Sequence, residues 1–303
     1  MEPIAWLLNF DAELELARPR QYQPSHRVLH LCERFAPRAG DLLTPHAIVL
    51  SRPTQPGCAA EHRGVAWCPT PHARRELQRA GAQLGPAPSL QCLQKVNSRR
   101  FLVSLGLTLP GALYTRKRQD VVQYLAHFSA HGCVLKRDHG FAGRGIRRIR
   151  GVPQRDDWHW IDTALGLGGL LLEPWVRVDA EYSQHAYLPQ QGALRVGVPC
   201  QQHTDTRGRW LRTEPLKPGS LQPPLAHALA TAVHRCGEAL RQAGYFGPFG
   251  LDAYTYEDLG GSLGFNAHSD LNARYTMGYS AGMGSTSASS PVATTTAPSP
   301  DGR

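Results

Sequence analysis

The stretch Cys133-Val134-Leu135-Lys136-Arg137-Asp138-His139-Gly140-Phe141-Ala142-Gly143-Arg144-Gly145-Ile146 runs from an apolar strand into one lysine and a glycine-rich loop, then enters the basic run 146–150. Glycines at 140, 143 and 145 let the backbone come close to a ligand and turn several N–H groups toward it. A lysine at the end of the preceding strand adds a compact positive charge. Together these suit a phosphate group. A tight turn is the competing reading of the same glycines, and the residues on either side decide between the two.

Upstream, an apolar strand is expected over 4–10, then a helix over 12–17 with Asp11 as its cap. Further strands are expected over 41–43 with 47–50, and over 64–68, with a helix over 72–80 capped by Thr70. Strands alternating with helices over 1–87 indicate a small α/β unit. After the breaker Gly85-Pro86-Ala87-Pro88, Ser89 opens a helix whose interior covers 93–105 and stops at Gly106, with Lys95 in its early turns. A helix over 120–127 precedes the strand 133–136, and a helix over 158–165 follows the loop. Strands are expected over 170–176, 181–188, 193–203 and 209–213, then a long amphipathic helix over 225–243 and strands over 251–256 and 263–266. Residues 280–303 are rich in Ser, Thr, Ala, Gly and Pro. With too little apolar surface to bury, they are expected to form a disordered tail.

The chain has 303 residues and a formal net charge of +9, which fits an anionic ligand as well as simple solubility. Arginine carries most of that charge, since the lysines are Lys95, Lys117, Lys136 and Lys217 alone, and each lysine is correspondingly informative. Seven scattered cysteines with no CxxC pair suggest neither a zinc cluster nor a disulfide framework, and reduced thiols in a cytoplasm account for them. No basic n-region opens the chain, and no apolar run is long enough to span a membrane. There is no GxxxxGK[ST] and no GxGxxG after a strand, which argues against a P-loop ATPase or a dinucleotide enzyme. Neither serines nor cysteines have a recognisable base partner for nucleophilic catalysis. Arg144, Arg147, Arg148 and Arg150 lack the aromatic interleaving of a nucleic-acid surface, so no nucleic-acid partner is expected.

Four features remain and fit one purpose. Lys95 and Lys136 lie on different elements and can converge on a polyphosphate. Glu173 ends the apolar strand and Glu181 opens the next. Asp252, Asp270 and Asn272 offer hard oxygen ligands, Asp270 and Asn272 sharing one face of an extended segment. Few hard oxygens partnered with phosphates are what Mg²⁺ uses.

The series Gln94-Lys95, Leu109-Pro110, Val134-Leu135-Lys136 with Gly140–Gly145, Leu172-Glu173-Pro174-Trp175-Val176 with Glu181, and Gly250-Leu251-Asp252 with Asp270-Leu271-Asn272-Ala273-Arg274 resembles the ATP-grasp superfamily over residues 89–278. That superfamily includes D-alanine–D-alanine ligase, biotin carboxylase and the purine-pathway carboxylate–amine ligases. The resemblance implies an α/β (α+β) ATP-grasp fold. Residues 1–88 would be the preceding small α/β domain and 89–279 the ATP-grasp domain, divided into 89–169 with the glycine-rich loop and 170–279 as the catalytic part.

The resemblance also implies roles. Lys95 and Lys136 would contact ATP phosphates, with Lys136 also near adenine, and Gly140, Gly143, Arg144 and Gly145 would close over them. Glu173, Trp175 and Val176 would form the adenine hinge, and Glu181 would bind ribose. Asp252, Asp270 and Asn272 would hold Mg²⁺, as two ions, with Mn²⁺ an admissible substitute. Arg274 would join Lys136 as a catalytic cation.

The implied reaction phosphorylates a small-molecule or peptide carboxylate with ATP, and an amine or thiol then attacks the acylphosphate. A homodimer is compatible with this class. Candidate substrate contacts are 9–13, Arg274 and Tyr275. Two positions depart from the family pattern: Asp270 stands where glutamate is usual, and Gly250 where an arginine often precedes the strand acid. These departures motivate the alternative of a non-catalytic nucleotide-binding regulatory or scaffold protein.

Overall fold

Ile4-Ala5-Trp6-Leu7 sends alternate side chains to two buried faces, and this fixes the first layer. The computed structural model describes residues 3–106, 108–140, 145–205 and 210–284. In it, β1 (Ile4–Leu7) lies inside a parallel sheet of order β2 (Ala47–Val49), β1, β3 (Arg63–Ala66), β4 (Gln83–Leu84). Ile4 and Trp6 enter one core, and Ala5 and Leu7 enter another beneath α3 (Pro71–Arg79). A parallel strand covered on both faces must be apolar throughout, as this one is.

Three expectations change in this layer. Asp11 makes no capping bond to α1 (Ala12–Ala17). Its carboxylate is held instead by two Arg52 nitrogens, at 2.6 and 3.0 Å, and by the Tyr22 hydroxyl. Segment 41–43 is not strand: a 3-10 helix, Ala36–Leu42, ends there with Leu42 buried. Before it, α2 (His26–Phe35), for which no element was expected, follows the cap Ser25 and turns Val28, Leu31, Cys32 and Phe35, at helical spacing, toward the core.

The helix expected over 93–105 is two helices, α4 (Leu90–Val96) and α5 (Arg99–Ser104). The break has a local cause. Asn97 turns its amide back to Leu93 O at 3.0 Å and accepts from Ala273 N–H at 2.9 Å, while Ser98 caps α5 by accepting from Phe101 N–H at 3.1 Å. Serine and asparagine compete with the helical backbone for hydrogen bonds, which makes such a pair a natural breakpoint. Leu93, Val96, Phe101 and Leu102 share one core with Trp6, Phe249, Leu251 and Tyr275. The inner face of the first sheet, α4 and α5 therefore pack as one body with the C-terminal sheet.

The central sheet is antiparallel, of order β5 (Leu113–Thr115), β8 (Leu170–Pro174), β6 (Cys133–Arg137), β7 (Ile146–Ile149). α6 (Arg118–His127) and α7 (Arg155–Leu167) cover one face. They build a separate core from Val121, Leu125, Ile161, Leu135, Leu170 and Leu172. Leu171 points the other way, into the large core, so the run Leu170-Leu171-Leu172 is apolar because both faces of β8 are buried.

The C-terminal sheet is also antiparallel, of order β11 (Trp210–Pro215), β10 (Arg195–Thr204), β9 (Arg177–Leu188), β12 (Gly247–Glu257), β13 (Leu263–Asn272). α8 (Pro223–Gln242) packs on it through Leu229, Val233, Cys236 and Leu240. β13 reaches past the expected 263–266 to Asn272, with a bulge opposite Asp252 and Tyr254. The chain does not loosen at 280. A short helix α9 (Tyr279–Met283) buries Tyr279 and Gly282, and the rest of the expected tail lies outside the described residues. No described helix is long and apolar enough to cross a membrane.

Replacing Ser98 with alanine removes the α5 cap and should lower stability by about 1 kcal/mol, read as a shifted urea midpoint at unchanged slope.

Candidate active site

A cleft of about 310 Å³ opens where the central sheet faces the C-terminal sheet. Its walls and floor collect residues far apart in sequence: Lys136 from β6, Glu173 from β8, Glu181 from β9, Asp252 from β12 and Asp270 from β13. Trp175 and Val176 line it between β8 and β9.

Strand register brings these groups together. Glu173 pairs with Val134, two residues from Lys136, so the two side chains share a face of the sheet. Lys136 Nζ lies 2.7 Å from Glu173 Oε2, and Glu173 is 3% exposed. On the other sheet, Asp252 is paired directly opposite Asp270, and Gly250 opposite Asn272.

Two carboxylates set across one ladder repel each other. Burial, with the Asp270 charge added, pushes the Asp252 carboxyl up to about 7, against the pull of Gln202 and Arg274. Gln202 Nε2 donates to Asp252 Oδ1 at 2.5 Å, and Asn272 Nδ2 to Oδ2 at 3.2 Å. Burial would raise Asp270 as well, but the Arg99 guanidinium outweighs it, with Lys136 and Arg274 adding to the effect, and the carboxyl stays below its ordinary value. Arg99 grips Asp270 through both terminal nitrogens, the second at 2.9 Å. Burial raises the Glu181 carboxyl, opposed by Thr204 and Arg148.

Arg274 does not line the cleft. Its Nη2 donates to Asn272 Oδ1 at 2.9 Å, its Nε to Glu13 and its Nη1 to the Tyr275 carbonyl at 2.9 Å. It ties helix α1 of the first layer to the residues behind Asp252. The other expected substrate contacts have structural employment. Asn9 exchanges hydrogen bonds with the Cys68 backbone at 2.8 and 3.1 Å, Asp11 is paired with Arg52, and Tyr275 stacks edge-on against Trp6. Glu13 keeps one buried carboxylate oxygen without a hydrogen bond.

Lys95 does not join the site. It is exposed on α4, and the cation that reaches the cleft from this region is Arg99, four residues on and past the helix break. The Asn97-Ser98 break redirects the chain and places Arg99 at the start of α5. That dipeptide was the signal available in the sequence for Arg99. Gln202 and Thr204, also unanticipated, follow from alternation along β10, where Gln202 pairs with Glu181.

Gly140 and Gly145 are the pinched ends of the glycine-rich loop. A Cβ on Gly145 would come within 2.6 Å of Gly140 Cα, so only glycine allows that approach. Gly143 and Arg144 lie outside the described residues. Gly250 has a steric cause as well: a Cβ there would meet Thr276 Cγ2 at 2.9 Å and His185 Cδ2 at 3.1 Å, which leaves no room for an arginine.

No three His, Cys, Asp or Glu side chains converge among the described residues, so a metal here would rest on two carboxylates and the Asn272 amide. The donor set nevertheless fits a hard divalent cation. Arg99 neutralises Asp270 alone, and Asp252, with no arginine bonded to it, carries the raised carboxyl that such an ion would relieve.

Arg99→Leu leaves Asp270 beside Asp252 with no bonded cation. It should cost about 3 kcal/mol, the low end for breaking a buried ion pair because Asp270 keeps some solvent contact, as measured by urea unfolding.

The sequence matches no protein-family model and shows no significant similarity to any curated protein. Its fold does match solved structures. D-alanyl-alanine synthetase A from Vibrio cholerae aligns with 13% identity and a TM-score of 0.52, covering 93% of this chain and 92% of that one. N5-carboxyaminoimidazole synthetase from Staphylococcus aureus, complexed with ADP, aligns with 11% identity and a TM-score of 0.51, covering 90% and 71%. Carboxyaminoimidazole ribonucleotide synthase from Aspergillus clavatus, complexed with ATP, aligns with 11% identity and a TM-score of 0.50, covering 91% and 71%. Three sheets in this order, a glycine-rich loop on the central one and a cleft facing paired acids on the last give this chain the ATP-grasp fold.

Proposed function

We propose that the protein is a Mg²⁺-dependent, ATP-using ligase that activates a carboxylate as an acylphosphate for attack by an amine or thiol. The observation that carries this reading is the single cleft in which the Lys136–Glu173 pair on one sheet faces Asp252 and Asp270 on another. Two of the similar structures hold ADP or ATP, which supports a nucleotide as the occupant.

Each residue then has a role. Lys136 and Arg99 offset phosphate charge, and the backbone at Gly140 and Gly145 can approach it closely. Trp175 and Val176 line the wall for the base, and Glu181 is placed to accept from ribose hydroxyls. Asp252 and Asp270, with Asn272, would hold the metal, which supplies polarisation of the transferring phosphate. The substrate carboxylate attacks the γ-phosphorus and ADP leaves. The nucleophile then attacks the acyl carbon, and phosphate leaves with the bonding pair.

One observation favours a non-catalytic nucleotide binder instead. Asp270 is already engaged by Arg99 through both oxygens, and Thr276 and His185 fill the space an arginine at 250 would need. Turnover separates the two readings. A ligase incubated with ATP, Mg²⁺, hydroxylamine and a panel of carboxylic acids yields a hydroxamate and ADP with at least one acid. Mg²⁺-dependent ATP binding with no hydroxamate from any acid supports the binder. In either case Lys136→Ala should abolish ATP binding in a calorimetric titration, and undiminished affinity would remove the site assignment.

The raised Asp252 carboxyl gives a pH signature. Below about 7 the group holds a proton that a cation must displace, so affinity for Mn²⁺, read by its paramagnetic resonance signal, should climb as pH rises through 7 and level off above it. Asp252→Asn should flatten that rise.

A further inference from the structure

Beyond the nucleotide cleft lies a second groove, of about 530 Å³, between the edge strand β7 and the turn that joins β12 to β13. Arg148 and Ile149 of β7, with Arg150 just beyond it, form one side, and His131 lies at the end nearest α6. Trp175 is the wall shared with the cleft, and Arg148 lines both cavities. The Arg148 guanidinium lies over the Trp175 ring, 5.2 Å from its centroid.

Arginines outnumber carboxylates in this groove, Arg148, Arg150 and Arg177 against Glu257 and Asp258. Both carboxylates are held in place away from Arg148 and Arg150. Glu257 is paired with Arg177 across the strand ends, and Asp258 Oδ1 accepts from Gly260 N–H at 2.8 Å and Ser262 N–H at 2.9 Å to close the hairpin turn. Among the described residues no carboxylate pairs with Arg150, and none forms a salt bridge with Arg148. The volume falls within the range of small-ligand sites, and an arginine seated on an indole has a fixed plane and loses little freedom when an anion binds.

We propose that this groove is a second ligand site, for a small molecule that carries two or more phosphate or carboxylate groups, and that Arg148 and Arg150 are its principal anchors. The ligand is distinct from the nucleotide of the cleft, and the proposal stands whether or not the cleft catalyses ligation. Because Arg148 borders both cavities, an anion in the groove competes for a cation that also faces Glu181. The two sites are therefore coupled.

The test is calorimetry on the full chain at low ionic strength with no divalent cation. Pyrophosphate represents the phosphate source and citrate the carboxylate source. ADP is held at saturation to occupy the cleft, and its own affinity is measured first. The comparison is with Arg150→Ala/His131→Ala, which alters the groove and leaves every cleft residue in place. The wild type should bind at least one probe at a single site. The double variant should bind it about tenfold more weakly, with ADP affinity unchanged. A phosphate-bearing ligand is indicated if pyrophosphate alone binds, and a carboxylate-bearing one if citrate alone does. Equal probe affinity in the two proteins, or no binding of either probe to the wild type, would overturn the proposal. If ADP does not bind, the nucleotide reading fails separately, and the same titrations without ADP still decide the groove.

Discussion

Asp252 and Asp270 are neighbours by strand register, and most of the site follows from accommodating them. Antiparallel pairing sets the two carboxylates on one face, so neither can leave without a slip that would turn every residue of β13 over. Something positive must stand there. Arg99 answers for Asp270, and Asp252 makes do with the amides of Gln202 and Asn272. The asymmetry shows in their acidity, one carboxyl depressed and the other raised. It also gives the break between α4 and α5 its purpose, because that break aims Arg99 at the sheet.

The other wall of the cleft comes from the opposite direction. β6 and β8 carry Lys136 and Glu173 as a paired cation and anion on the central sheet, so that wall is close to neutral before any ligand arrives. On the proposed reading, an incoming polyphosphate would meet a lysine already held in place by its partner, with the ordering cost at that side chain met during folding. Arg274 works at one remove. It links Glu13 of the first layer to Asn272, so helix α1 and the carboxylate floor are joined through one guanidinium.

Much of this was legible in the chain. The lysine before a glycine-rich loop, the acid that closes an apolar strand and the Asp-x-Asn near the end all came to the cleft or its floor, because strand alternation alone fixes which residues share a face. Helix interiors were less legible. Lys95 and Arg99 both sit on helical pattern, and only the hydrogen bonding of Asn97 and Ser98, one of them to a partner 176 residues away, determines which cation turns inward. Asp11 misled for a similar reason: its sequence position is that of a cap, and its actual partner, Arg52, is 41 residues distant. Local chemistry specified the elements, and long-range pairs selected among polar residues that look equivalent along the chain.

The central sheet has a core of its own, while the floor of acids belongs to the large core shared with the first layer. The two halves of the cleft are thus held by separate reservoirs of burial, joined through Leu171 and Tyr114 of the central sheet. A cooperative unit with a small core opens at lower free energy than the body it rests on. The population of the formed central-sheet wall would then enter every apparent affinity for the cleft as a multiplicative factor. Substitutions at Ile161 or Val121, far from any ligand, would be read in a binding assay as weakened recognition, although what they change is how often the wall exists.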